Sequence, residues 1–243
     1  MERHAAHDSN STDAVPSAVR PSDVGNTFYL ICHDHVTGAP RLHTSTIGLG
    51  AAGGMLAESL LAGQITLDTG LVTAVDLRPA APDDLDRRSE REPETTAADT
   101  VWAQVVAEPW RHPVRTWLTV LSSQAPQIVA DRLTKLGHLQ ATGSRRRSRR
   151  AAPTDWKFAE WAAARLRVAL IRGIELTVAD VAVLALLDAS GLHHFILDGL
   201  EPSARDYHAY LLAGLPRAHP DVAEVTAHTQ AAVADAVLAR GHR

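Results

Sequence analysis

Gly48-Leu-Gly-Ala-Ala-Gly-Gly-Met-Leu-Ala-Glu-Ser-Leu-Leu-Ala-Gly-Gln-Ile65 is the stretch whose reading decides the fold. Small residues come first, then an apolar helical face, then a glycine, then a β-type run. Met55, Leu56, Ser59, Leu60 and Gly63 recur at three- and four-residue steps, which predicts a helix beginning near Gly50 with one apolar or small face. Gly63 suits the left-handed residue that ends helices. Gln64–Leu67 and Leu71–Val75 are β-like runs joined through Asp68-Thr69-Gly70, a hairpin pattern. Gly48-x-Gly50-x-x-Gly53 also spells a dinucleotide fingerprint, with Leu42–Ile47 as a preceding run and Asp68 in range as the acid. A hairpin follows, however, where that motif needs a βαβ crossover. The glycines are therefore read as helix-packing residues.

Outward from this stretch the pattern stays helical. Upstream, Phe28–Cys32 is a short apolar run that meets a turn at Asp34–Gly38, where Asp and Gly supply the turn chemistry. Residues 1–25 are polar and aperiodic and read as a disordered tail, leaving 26–243 as one helical domain. Downstream, proline and dense charge mark 78–95 as a surface loop. A helix is expected at 97–108 with Val101, Val105 and Val106 inward. Pro113 precedes a helix at Val114–Leu121, and Pro126 opens another at Gln127–Leu136, stopped by Gly137. A second hairpin follows: His138–Ala141, an arginine tip and a return strand before Trp156.

The last hundred residues read as four helices. Thr177/Asp180, Ser203/Asp206 and Asp221/Glu224 each resemble a capping box. Val178–Leu187 is apolar nearly all round and is expected at the buried centre. The last helix, 221–240, is one-sided. The fold class is mainly α: a single globular helical domain with one or two small β-hairpins.

Composition narrows the function. The net charge of −4 hides Arg145, Arg146, Arg147, Arg149 and Arg150, five cations within six residues, so the rest of the chain is acidic. Lys135 and Lys157 are the only lysines, an Arg-rich, Ala-rich usage that suggests a high-GC bacterial genome. Cys32 is the only cysteine, which excludes an intrachain disulfide and a cysteine-based metal site and fits a reducing, cytoplasmic setting. No apolar run approaches the roughly 18 residues of a membrane span, and the N-terminus lacks a signal pattern. Membrane contact is therefore expected to be peripheral, at an inner face.

No catalytic constellation is visible. Nucleophile-elbow and Walker motifs are absent, so no enzyme is expected and no cofactor. His33 and His35 flank Asp34 and could share a strand face as zinc ligands, but the turn around them favours solvated side chains; no metal is expected. His193 and His194 are consecutive and point apart on a helix. The arginine cluster is the main electrostatic feature, because a cationic tip attracts phosphate from lipid headgroups or nucleic acid. Trp156 and Trp161 lie just beyond it. Tryptophan suits a membrane interface, yet core packing is the simpler reading of both.

Four blocks in order carry a family resemblance. Gly53-Gly-Met-Leu-Ala-Glu-Ser-Leu-Leu-Ala-Gly-Gln-Ile65 resembles the Gly-x-x-Leu-x-Glu-Leu-x-Leu-x-Gly-x-Ile signature of Golgi phosphoprotein 3-like proteins. Asp34-x-x-Thr-Gly38, Val129-Ala-Asp-Arg-Leu-x-x-x-Gly-His-Leu139 and Val183-Leu-Ala-Leu-Leu-Asp-Ala-Ser-Gly-Leu192 resemble three further blocks. The resemblance runs from about 28 to 240. It implies a mostly helical fold, peripheral binding of phosphatidylinositol-4-phosphate, recruitment of protein clients, and self-association through the hairpin after Leu139. The family's headgroup residues are not matched: His43 stands where a Trp is expected, Ala52 where an Arg is, and Ser123 and Pro126 where two basic residues are. Arg41 and His43 flank the position of that pocket, and Arg115 is placed near it.

The expected function is thus a non-enzymatic peripheral adaptor meeting acidic phospholipid headgroups through Arg41, His43, Arg115 and the hairpin arginines 145, 146, 147, 149 and 150. The alternative is a winged-helix-like DNA-binding regulator, with Gln127–Leu136 as its reading helix and the hairpin as its wing. Nucleic acid is the weaker partner, because Asp131 repels phosphate and the rest of the chain is acidic.

Overall fold

The computed structural model describes residues 23–75, 97–142 and 150–241. Residues 1–22 of the expected tail, the 78–95 loop and the tip arginines Arg145, Arg146, Arg147 and Arg149 lie outside the described residues. Arg150 opens a strand.

Among the described residues there are ten helices and two small antiparallel sheets. The helices are α1 (Val24–Ile31), α2 (Thr44–Leu61), α3 (Ala97–Ala107), α4 (Val114–Ser122), α5 (Ala125–Lys135), α6 (Trp156–Arg172), α7 (Val178–Ala189), α8 (His193–Leu197), α9 (Pro202–Ala218) and α10 (Pro220–Gly241). α1 begins inside the stretch read as tail. β1 (Ile65–Asp68) and β2 (Leu71–Ala74) form the expected hairpin. Its turn has Thr69 at φ 50° and Gly70 at φ 80°, the double left-handed geometry of a tight hairpin. β3 (His112–Pro113) pairs with β2, and its proline sits on the sheet edge, where no ladder N–H is required. β4 (Leu139–Thr142) and β5 (Arg150–Pro153) form the second hairpin.

The quoted glycine-rich stretch is the hub. α2 packs against α1, α3, α4, α5, α7, α10 and β1, and every residue from Thr46 to Ser59 is buried. The single apolar face expected for α2 needs correction, whereas the burial expected for Val178–Leu187 is found. α7 is buried, but α2 is the axis around which the others pack. Periodicity hides this because glycine and alanine mark no face.

The glycines of α2 allow the close approach. A Cβ on Gly50 would lie 2.1 Å from Cζ of the buried Phe28 ring, and one on Gly54 would lie 2.8 Å from Cα of Gly25, both in α1. Gly48 meets the Ser122 carbonyl of α4 at 2.4 Å, and Gly53 meets Oγ1 of Thr229 in α10 at 2.5 Å, by the same measure. Each glycine weakens a helix by about 0.5–1 kcal/mol relative to alanine. The dispersion contacts of several close-packed neighbours offset that loss.

Other expectations divide. Gly63 and Gly137 adopt φ of 68° and 77°, as the helix-ending role requires. Thr177 and Asp180 form a reciprocal capping box on α7. The other two boxes are corrected: α9 and α10 begin at Pro202 and Pro220, and Glu201, not Ser203, precedes α9. Proline pre-sets the first turn and displaces the cap upstream. Val106 is exposed while Val101 and Val105 are buried. Trp156 and Trp161 are not core residues; their relative exposures are 48% and 46%.

Candidate functional site

The N-terminus of α2 emerges from the core at His43, Thr44 and Ser45, all exposed. His43 is the N-cap: its Nδ1 accepts the Ser45 backbone N–H at 3.2 Å. From the far end of the chain, Arg240 in the last turn of α10 reaches the same place. Its guanidinium donates to His43 Nδ1 at 3.1 Å and to the Ser45 hydroxyl. The Ser45 hydroxyl also lies 2.9 Å from His43 Nδ1, so Ser45 bridges the ring and the Arg240 guanidinium. The start of α2 lies beside the end of α10, so the two dipoles run opposed, and Arg240 complements the C-terminal pole of its own helix. Arg240 makes no ion pair among the described residues.

The result is a guanidinium, an imidazole and a hydroxyl gathered at the positive pole of an 18-residue helix. That donor set suits a phosphate or carboxylate.

Arg41 is directed elsewhere. Its Nε donates to the His33 carbonyl at 3.2 Å, its terminal nitrogen pairs with Asp34 at 3.2 Å, and its guanidinium lies 4.3 Å from the centre of the Phe195 ring in α8. Asp34 also accepts the Thr37 N–H and hydroxyl and the Val36 N–H, which hold its carboxyl down at about 2. The Asp34–Gly38 turn is thereby fixed, and the bridge between His33 and Pro40 closes it. Arg41 lines a cleft of about 430 Å³ between α1, α6 and α8, with His33, His35 and Arg167. Arg167 is committed to the carbonyls of Phe195, Ile196 and Asp198. His33 stacks on Tyr29 at 4.1 Å, and burial pushes its pKa down. Among the described residues, no three His, Cys, Asp or Glu side chains come together as a metal site.

Arg115 in α4 is paired with Asp235 of α10. The structure thus keeps His43 at the α2 terminus, neutralises Arg41 and Arg115 with acids of the same chain, and adds Arg240. Sequence reading missed Arg240, which lies 197 residues from His43, and no local signal links the two.

A family model described as Golgi phosphoprotein 3 (GPP34) matches residues 25–239. The chain belongs to the Golgi phosphoprotein 3 family. A search of curated proteins found no match to it. Two of the blocks that carry the family resemblance meet in space. Glu58 from the glycine-rich block receives Arg132 from the Val129–Leu139 block at 3.0 and 3.2 Å, and the Gly25 N–H at 2.7 Å. Arg132 also donates to Asn26 at 2.8 Å. Burial pushes the Glu58 carboxyl up, and the Arg132 guanidinium and the Gly25 N–H oppose that. Of the positions aligned with the family's headgroup residues, Ala52 is fully buried, Ser123 ends α4 in solvent, and Pro126 sits in the first turn of α5.

This pairing also bears on the DNA reading. Arg132, one of the polar groups on α5, is buried against Glu58, and Gln127 is turned onto Asp131 at 2.7 Å. Lys135 is then the remaining cation of that helix.

Proposed function

We propose that this Golgi phosphoprotein 3-like chain is a non-enzymatic adaptor that docks peripherally on membranes carrying anionic headgroups, with residues 26–243 as the docking domain. The observation that carries the reading is Arg240, whose guanidinium lies on His43 and Ser45 at the N-terminus of α2 without an acidic partner among the described residues. Two contacts share the work. The α2 terminus takes one phosphate group through Arg240, His43 and Ser45. The arginines of the hairpin, 145 to 150, add long-range attraction, at about 1 kcal/mol per basic residue near an anionic surface. Phosphatidylinositol-4-phosphate is the headgroup that the family resemblance implies. Here a guanidinium from α10 stands in for basic residues that this chain lacks at the family's positions.

No helix of the described residues is long and apolar enough to cross a membrane, which is compatible with peripheral contact. Vesicle flotation tests the reading. Vesicles carrying phosphatidylinositol-4-phosphate, phosphatidylserine or neutral lipid alone are compared, with duplex DNA in parallel. Retention on acidic vesicles should fall on Arg240→Ala and again on replacing the hairpin arginines with serine. Salt-sensitive DNA binding without vesicle retention would reverse the assignment in favour of the regulator.

A further inference from the structure

The connection from α6 to α7 runs against α9. The Tyr207 hydroxyl donates to the Ile174 carbonyl at 3.2 Å and holds the two segments side by side. Tyr207 and Tyr210 then stack, with ring centres 6.4 Å apart. Between the start of α7 and the second half of α9 this leaves a groove of about 560 Å³. Small-molecule sites span roughly 300–1,000 Å³. The groove follows α9 from Tyr210 to Ala218, which at the helical rise makes it about 12 Å long.

Its walls are aliphatic. Leu176, Val178 and Val181 come from one side, Leu211 and Leu215 from the other. Val181 and Leu215 are buried, and the other three are half-buried. Tyr210, Gly214 and Arg217 follow at steps of four and three and so share one face of α9. A Cβ on Gly214 would meet nothing within 4 Å, so the glycine leaves a notch between the tyrosine and the arginine.

The charge of the groove has one sign. Arg217 and His219 are its basic residues, and no Asp or Glu lines it. Both are exposed, and neither forms an ion pair among the described residues. Glu175 and Asp221 adjoin the groove in sequence but do not line it. Arg217 stands in the last turn of α9, where a cation suits the negative pole of the helix. With no acid to hold it, its guanidinium is available to an anion at that end of the groove.

We propose that this groove binds an acyl carboxylate. The alkyl chain lies along the aliphatic walls and over the Gly214 notch. The carboxylate takes a two-pronged hydrogen bond from Arg217, and His219 donates a ring N–H, which it carries whether neutral or charged. A long trough with a cation at one end is complementary to a linear chain that ends in an anion. The groove lies on other elements than the α2 terminus, so the proposal is independent of the adaptor reading.

Equilibrium dialysis of the full chain tests it. Decanoate below its micelle concentration is the probe, with decanol and decylamine as controls of equal length. Decanoate should bind saturably and more tightly than either control. Arg217→Gln should weaken decanoate about tenfold, the scale of a charge-assisted hydrogen bond, and leave decanol unchanged. Added salt should weaken decanoate binding to the parent more than to that variant. Gly214→Leu fills the notch without changing charge and should abolish decanoate binding. Open space at Gly214 lets this variant fold, which a thermal melt checks.

Decanol that binds as tightly as decanoate, or an Arg217→Gln variant that binds decanoate as the parent does, would overturn the proposal. So would the absence of saturable binding. Decanoate binding that survives in folded Gly214→Leu would place the ligand elsewhere and overturn it too. A peptide with a free C-terminal leucine that displaces decanoate and binds more tightly would assign the groove to a protein partner instead. Vesicle flotation of Arg217→Gln should match the parent, so failure here leaves the adaptor reading standing.

Discussion

Glu58 and Arg132, 74 residues apart in sequence, face each other as a two-pronged ion pair inside the helical body, with side-chain exposures of 4% and 9%. The pair joins α2 to α5 and, through Gly25 and Asn26, to α1. A buried pair stabilises little over an apolar substitute, but removing one partner strands the other.

Arg132→Met should therefore destabilise the protein by about 3–5 kcal/mol at neutral pH, read by urea unfolding. The sign with pH is specific. The stranded Glu58 carboxyl binds a proton more tightly when folded than when unfolded. The deficit should therefore shrink as the pH falls toward the acid range. A deficit that is constant with pH would mean that the loss comes from packing alone.

Gly50 and Gly214 make a contrasting pair. At Gly50 an added methyl meets the Phe28 ring at 2.1 Å, whereas at Gly214, within α9, nothing lies within 4 Å. Gly50→Ala should lower stability by about 1–3 kcal/mol through overpacking. Gly214→Ala should raise it by about 0.4–1 kcal/mol through the entropy of the unfolded chain. Thermal melts of the two variants should move in opposite directions.

His33, His138 and His208 are all held below the ordinary value of 6.5, chiefly by burial. His138 also stacks on Phe158 at 3.7 Å. A histidine with a depressed folded pKa binds fewer protons folded than unfolded. Its stability is then complete above about 6.5 and is lost as the pH falls below that value. The melting temperature should drop between pH 7.5 and pH 5.5, and His208→Gln should flatten the drop.

Much of the fold could be read from single segments. The β1–β2 hairpin, the helix-ending glycines and the Thr177 cap each follow from chemistry within a few residues. What could not be read depends on distance or on silence in the pattern. β3 is two residues long, too short for any period. The full burial of α2 is written in glycines and alanines, which carry no face. The meeting of Arg240 with His43 depends on how α2 and α10 pack, so only coordinates reveal it. Trp156 and Trp161 look like core residues because tryptophan usually is buried; the inward positions of α6 are filled by smaller side chains instead.

A central rod gripped on bare backbone leaves its neighbours no room to slide. A ridge of side chains can re-mesh one notch along, but a glycine facing the carbonyl of Ser122 or the ring of Phe28 has no second notch to occupy. The body should thus arrive at its partner already in final shape, as a stiff plate whose grip is set by what its rim displays. Changes of partner then come from rewriting the rim, with the rod left untouched.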